Sequence, residues 1–333
     1  MASIEELNLG MINYWNLHPL ASELARVSYS NLNVYDGHPT SINRLLGEGK
    51  IHLAPCSSVC LATSQGHEMV LPMGVASDGP VRSVYIGLQQ EHGVLLEWIR
   101  ERRGVMRKLF SEARKTFGLD ARKLASFIWN EVKGLPNLPI SQCPSIVFTN
   151  SSATSSALSR LLYLLWFGHE SYKLMATRGF SRVYEEEKPL QLLIGDEALL
   201  KRNRFYRILD LGAVWKEMTG LPFVFAVWQS KGACLNGWRR KILDIGEKAE
   251  AQMKTDPSIY YPSNLPLDEV GRPIPLAEYW KVIQYRLGTE HIKGLLIFLC
   301  LTRKVMSMPL DNSLMCKIMR WQEMCHQGSV PTI

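Results

Sequence analysis

The sequence predicts an α/β protein built as two lobes, and three observations carry that prediction. Short apolar runs of strand length alternate with helical segments, an order that lays helices on the faces of a parallel sheet. At 333 residues the chain is too long for one ordinary domain and fits about two. Its 46% apolar and 21% charged residues supply a sizeable core and exclude disordered, collagenous and coiled-coil chains.

Taken in order, Leu9–Tyr14 is an apolar run that stops at Tyr14-Trp15-Asn16, ahead of Pro19, and reads as the first strand. Val34 belongs to a second strand that ends at the turn Asp36-Gly37. Pro39 to Leu46 reads as a helix, opened by a proline and closed by Gly47 and Gly49. Ile51–Pro55 is a third strand, and Ser57-Ser58 then opens a helix. Met69–Val75 and Val81–Leu88 follow as strands. Residues 92–142 break this rhythm. There Leu95, Ile99, Met106, Leu109, Phe110, Ala113 and Phe117 recur at helical spacing, with the basic residues largely opposite, and a second helix runs from Asp120 to Val132. Alternation resumes with strand Ser145–Thr149, a hydroxyl cluster Ser151–Ser156 and helix Ala157–Phe167. Strands Leu190–Ile194 and Pro222–Trp228 come next, then helices around 232–254, 276–288, 292–304 and 311–325.

The net charge of +7 is concentrated in one place. Residues 100–123 hold nine basic and three acidic side chains, so the remainder is almost neutral, and the segment reads as a solvated basic face rather than a nucleic-acid site. The seven cysteines include no CxxC pair, and the eight histidines are scattered, so no metal pattern follows. Two early acids and the lack of an apolar core in MASIEELNLGMINYWNL predict no secretory signal. The richest apolar run, Gly294 to Leu301, is far too short to span a membrane. A reduced, soluble, cytoplasmic protein is expected.

Polar groups that directly follow strands are the candidate site, because open α/β sheets bind ligands beyond their strand ends. Asn16 follows the first strand, Ser57 and Ser58 the third, and Ser152, Thr154 and Ser155 the strand ending at Thr149. Both serine clusters would pair hydroxyls with a helix N-terminus, a ready place for an anion, and two of them suit a molecule with two carboxylates. Asp196, after the strand ending at Ile194, can orient a ligand hydroxyl or cap the helix Glu197–Arg202. Ser83 lies within a strand, and His18 near Asn16 reads as structural. There is no GxSxG elbow, phosphate loop, GxGxxG fingerprint or HExxH helix.

At these same residues the chain resembles the chorismate dehydratase family of the futalosine route to menaquinone. The resemblance rests on Gly10-Met-Ile-Asn-Tyr-Trp-Asn16-Leu-His-Pro19, Ala54-Pro-Cys-Ser57-Ser58, Val81-Arg-Ser83-Val84 and Ser152-Ala-Thr154-Ser155. It rests further on Leu192-Leu-Ile-Gly-Asp196-Glu-Ala-Leu199 and on Leu209 through Ala226. It spans nearly the whole chain except about 92–142, an insertion relative to the family core. Trp15, Leu17 and His18 depart from the smaller or more polar residues usual around that asparagine.

The resemblance implies a two-lobed, periplasmic-binding-protein-like type II fold with its active site in the inter-lobe cleft. Lobe one would be residues 1–85 with 224–333, and lobe two 86–223, joined by crossovers at Ser83–Leu88 and Phe223–Trp228. It further implies dehydration of chorismate to 3-[(1-carboxyvinyl)oxy]benzoate without metal or organic cofactor. Asn16 and Ser83 would be catalytic, and Ser57, Ser58, Ser152, Thr154, Ser155 and Asp196 would bind substrate, with a substrate carboxylate as base. The rivals are a related lyase of that route making a dihydroxynaphthoate and a non-catalytic small-anion-binding protein. The first opens with Ser-Pro-Cys-Pro-Asn-Asp, where this chain reads Asn13-Tyr-Trp-Asn16-Leu-His.

Overall fold

The computed structural model describes residues 6–27, 29–91, 93–118, 120–149, 151–168, 174–176, 190–232, 235 and 237–306. The helix expected near 311–325 lies outside them. Three hydrogen-bonded sheets form the frame; the two-stranded and four-stranded ones are joined by the Leu9–Leu53 bridge and make up its first side, called the first sheet below. The first holds β1 (Leu7–Ile12), β2 (Leu32–Gly37), β3 (Ala54–Ser57), β4 (Glu68–Ser77), β10 (Phe223–Ser230) and β11 (Gln284–Arg286). Within it β1 pairs parallel to β2 and reaches β3 through the Leu9–Leu53 bridge, while β11, β4, β10 and β3 run side by side. The second sheet has the order β7 (Leu174–Ala176), β6 (Ile146–Phe148), β8 (Leu190–Ile194), β5 (Val84–Leu88) and β9 (Arg207–Asp210).

The expected all-parallel pairing is corrected. β10 is antiparallel to β3 and β4, and β5 is antiparallel to β8 and β9. The reason is connectivity. β5 leaves the first sheet for the second and β10 returns from the second to the first, so each enters its new sheet against the local strand direction. Alternation of strands and helices predicts which segments are strands, but not the end from which a strand arrives.

The helices pack as their apolar spacing dictates. α1 (His18–Arg26) and α2 (Pro39–Gly47) both start with proline in the first turn, where the missing N–H costs no helical bond. α6 (Ala153–Phe167) begins earlier than its apolar run suggests, because Ser152 caps it by accepting from the Ser155 N–H at 3.2 Å. α3 is a single turn, Cys60–Thr63, so the helix expected to open at Ser57-Ser58 is absent there and Ser57 ends a strand instead. The helix expected over 276–288 stops at Val282, as α10 (Leu276–Val282), and the chain continues into β11. Two further helices, α7 (Gly195–Lys201) and α8 (Leu211–Thr219), flank β9, and α9 (Trp238–Thr255) covers the first sheet.

The basic insertion forms two helices, α4 (Gly93–Phe117) and α5 (Ala121–Gly134). Asp120 caps α5 by accepting from the N–H groups of Arg122 and Lys123, both at 3.1 Å. α4 packs on α8 and α6, while α5 buries Leu124, Ala125, Ile128 and Val132 against α11 (Thr289–Val305). The insertion is therefore part of the core. Arg102 is an exception to the outward basic face. It is 6% exposed, and its guanidinium donates to the carbonyls of Trp166, at 3.1 Å, and Pro136. Trp166 lies in the last turn of α6, whose carbonyls lack helical donors, so a cation there is favourable. α11 comes close to the return crossover because Gly294 has no side chain: a Cβ there would sit 2.3 Å from the Pro222 carbonyl oxygen. The cysteines at 56, 60 and 143 are free thiols. No helix among the described residues is long and apolar enough to cross a membrane.

Candidate functional site

The cleft lies where the two sheets meet, over the crossovers, and encloses about 550 Å³ with its mouth included. From the first sheet's side it is lined by Tyr14, Asn16 and Ser57, and from the second's by Ser83, Ser152, Ser155 and Gly195. Between them, Ile12, Val75, Val84, Ile194 and Phe225 form an apolar wall. One side of a ligand would meet hydroxyls and amides and the other hydrocarbon, the usual division of labour in a small-molecule site.

Asn16 sits four residues past the end of β1, in the turn before α1. Its Oδ1 is buried with no hydrogen-bond partner, an arrangement that costs about 1–3 kcal/mol unless something in the cleft donates to it. The backbone around it is held from three directions. The Trp15 N–H donates to Asp196 Oδ1 at 3.0 Å, the Trp280 indole N–H to the Trp15 carbonyl at 2.6 Å, and the Tyr285 hydroxyl to the Asn16 carbonyl at 2.7 Å. His18 packs edge-on to Trp15 and stacked on Trp280, with Nε2 3.0 Å from the Tyr260 carbonyl oxygen, and burial lowers its pKa. It is a structural residue of this turn.

Ser57, the last residue of β3, is tied to Asn43: its N–H donates to Oδ1 at 3.3 Å and its Oγ accepts from Nδ2 at 3.4 Å. Ser152 and Ser155 form the N-terminal turn of α6, where the Ser152 hydroxyl donates to Ser155 Oγ at 3.0 Å. Two hydroxyl side chains thus line the cleft beside a helix N-terminus, where the helix dipole favours a carboxylate. Ser83 precedes β5 rather than lying inside it; it is 1% exposed, and its Oγ accepts from the Tyr279 hydroxyl at 2.8 Å.

Three residues expected to bind substrate are placed otherwise. Ser58 and Thr154 do not line the cleft. Both are fully buried, their oxygens lie 3.3 Å apart, Ser58 donates to the Val224 carbonyl at 2.8 Å, and Thr154 Oγ1 accepts from the Val59 N–H at 3.2 Å. They bond the two sides of the cleft to one another behind its wall. Asp196 likewise faces the Trp15 backbone instead of the cavity. Burial raises its carboxyl pKa to about 6, only partly offset by that N–H donor.

Tyr14 is the lining residue that sequence reading left without a role. Its ring packs on Gly195, where a Cβ would lie 3.1 Å from Tyr14 carbons and where φ is +56°. Burial, helped by the charge of Asp196, raises the Tyr14 phenol to about 12. It is the sole ordinarily titrating side chain among the described lining residues, so none of them is a base at neutral pH. Among the described residues no three His, Cys, Asp or Glu side chains cluster closely enough to hold a metal ion.

The architecture matches solved structures at low identity. A protein from Archaeoglobus fulgidus, AF1704, is 11% identical, with 97% of each chain covered and a TM-score of 0.50. The Candida albicans CA3427 product, described as having the generic periplasmic binding protein fold, is 10% identical with a TM-score of 0.52, covering 95% of this chain and 94% of its own. An ABC transporter protein from Parabacteroides distasonis is 13% identical with a TM-score of 0.53, covering 93% and 98%. These show the fold: an α/β, periplasmic-binding-protein-like architecture. The model of a family described as menaquinone biosynthesis matches residues 7–94 and 130–304, omitting most of the basic insertion and including every residue of the cleft. With most of its length so matched, the chain belongs to the menaquinone biosynthesis family.

Proposed function

We propose that the protein is a chorismate dehydratase, converting chorismate to 3-[(1-carboxyvinyl)oxy]benzoate in the cytoplasm as a step toward menaquinone. The cleft would lie between a lobe of residues 1–85 with 224–333 and a lobe of 86–223. The observation that carries the reading is the character of the lining. Hydroxyl and amide groups and an unpaired buried amide oxygen face an apolar wall, and no lining side chain is a base at neutral pH. Chorismate fits that inventory: two carboxylates for the serines, one hydroxyl for Asn16 Oδ1, and a ring carbon face for the wall.

Elimination breaks a C–H bond at the ether-bearing ring carbon and the C–O bond of the neighbouring hydroxyl. The C–H electron pair becomes the new ring double bond, the hydroxide leaves, and the released proton completes the water. Aromatisation drives the reaction, so the protein must position the groups rather than supply strong acid or base. With no base among the lining residues, the enolpyruvyl carboxylate of the substrate removes the proton and hands it on to the leaving oxygen. In this mechanism Asn16 accepts from the substrate hydroxyl and its NH₂ steadies developing charge, while Ser83 lies at the same centre. Ser152 and Ser155, with the α6 N-terminus, hold one carboxylate and Ser57 the other. Preorganised donors of this kind are worth about 10²–10³ in rate each.

Incubating the purified protein with chorismate and following the aromatic product by ultraviolet absorbance and NMR tests the reading. Binding of chorismate without product would favour a non-catalytic anion-binding protein, and absence of both would overturn the substrate.

A further inference from the structure

We propose that Tyr279 is a positioning residue that turns the Ser83 hydroxyl proton toward the cleft, so that Ser83 donates to the departing oxygen; the inference rests on the dehydratase reading above.

A serine hydroxyl has one proton and two acceptor lone pairs, so what donates to it decides where its own proton can go. The Tyr279 hydroxyl donates to Ser83 Oγ at 2.8 Å and makes no other hydrogen bond among the described residues. Tyr279 is 1% exposed on α10, and burial, reinforced by the charges of Asp196 and Asp210, keeps its phenol protonated far beyond the physiological range. The phenol proton has one acceptor, Ser83 Oγ. The serine proton therefore cannot point back at Tyr279, and the open direction left to it is the cleft that Ser83 lines.

The backbone of Ser83 is fixed with matching care. Arg82, just before it, has φ of +64°, a left-handed conformation that costs a non-glycine residue about 1 kcal/mol or more. Asp210 maintains it, accepting from the Val81 N–H at 3.0 Å through Oδ1 and from the Arg82 N–H at 2.7 Å through Oδ2. On the other side the Ser83 carbonyl accepts from the Gly195 N–H at 2.7 Å. A strained bend pinned on both sides, ending in a serine whose oxygen already accepts from Tyr279, is what aiming one proton requires.

The test is a double-mutant cycle on chorismate turnover with Tyr279→Phe, Ser83→Ala and the double variant. Tyr279→Phe removes one oxygen and leaves the ring in place, and circular dichroism with thermal melts verifies the fold of each variant. Expected is a fall of about tenfold in kcat for Tyr279→Phe with KM within twofold, and no further fall when Tyr279→Phe is added to Ser83→Ala. Losses that multiply in the double variant, or an unchanged kcat in Tyr279→Phe, would overturn the inference and leave the dehydratase reading standing. Chorismate left untouched by the parent protein would overturn both.

Discussion

Replacing Asp196 by asparagine removes one buried charge and keeps one hydrogen bond. The Trp15 N–H donates to Asp196 Oδ1 at 3.0 Å, and an asparagine Oδ1 can accept in its place. Burial raises the carboxyl to about 6 from an ordinary value of 3.8, so above that pH the folded protein carries a charge it holds poorly. A shift of about two pKa units corresponds to about 3 kcal/mol, an upper bound because the group is only partly enclosed. For a carboxyl raised on folding, the contribution to stability is fully present below pH 3.8 and is lost as the pH rises through about 6. The wild type should therefore lose stability between pH 4 and 7 relative to Asp196→Asn. At pH 8 the variant should be the more stable by about 1–3 kcal/mol, or several degrees in Tm, and at pH 4 the two should nearly coincide. Thermal melts of both proteins from pH 4 to 8, overlaid, read this directly. A variant that is less stable at pH 8, or a difference independent of pH, would refute the argument that burial of this carboxylate is uncompensated.

Asn16→Asp should lower single-turnover formation of the aromatic product by about 10²–10³ with the fold intact by circular dichroism, since it exchanges an amide donor for a carboxylate beside a dianion. Wild-type turnover in that variant would reduce Asn16 to a turn residue. Gly195→Ala should cost about 1–2 kcal/mol in denaturant unfolding and also reduce turnover, because φ at this position is +56° and the added methyl would meet the Tyr14 ring. Arg102→Gln should destabilise the protein by about 2 kcal/mol by removing the guanidinium donations to the Pro136 carbonyl and to the Trp166 carbonyl, which keeps the Trp98 indole N–H at 2.7 Å, whereas Arg107→Gln, at an exposed position, should change Tm by less than a degree or two.

Much of the frame could be read from the chain because its strands and helices are dense in apolar side chains at the right periods. The run Leu190–Ile194 is a strand between the same bounds in the structure. Elements with little apolar signal were not legible: β9 is four residues long and starts with arginine, and β11 is three residues, Gln-Tyr-Arg. At the site, sequence proximity located the right turns but not the direction of each side chain. Ser57 and Ser58 are adjacent, yet one lines the cleft and the other bonds across its back wall. Ser152 and Thr154 divide in the same way. Strand alternation and helix rotation turn neighbours to opposite sides, and a cluster of hydroxyls reads the same whichever of them faces the ligand. The partners of Ser83 and of the Trp15 backbone lie 196 and 181 residues away, separations at which no local pattern carries information.

The arrangement around the cleft bears on why an elimination could proceed here without a strong base. A protein that leaves proton removal to its substrate must keep that substrate's reacting groups in line, so rigidity takes the place of acid–base strength. The turn bearing Asn16 is clamped by Asp196, Trp280 and Tyr285, three groups from three different elements, one of them across the cleft. The two sides are also bonded to one another through Ser58 and Thr154, and α5 of the insertion packs on α11, which itself lies against the return crossover. Of these, the contacts that cross the cleft, from the Trp15 N–H to Asp196 and between Ser58 and Thr154, tie its two sides together. Preorganisation of this kind would keep a substrate's reacting groups in line while the cleft is closed, which is what the proposed elimination, with the substrate's own carboxylate as base, requires.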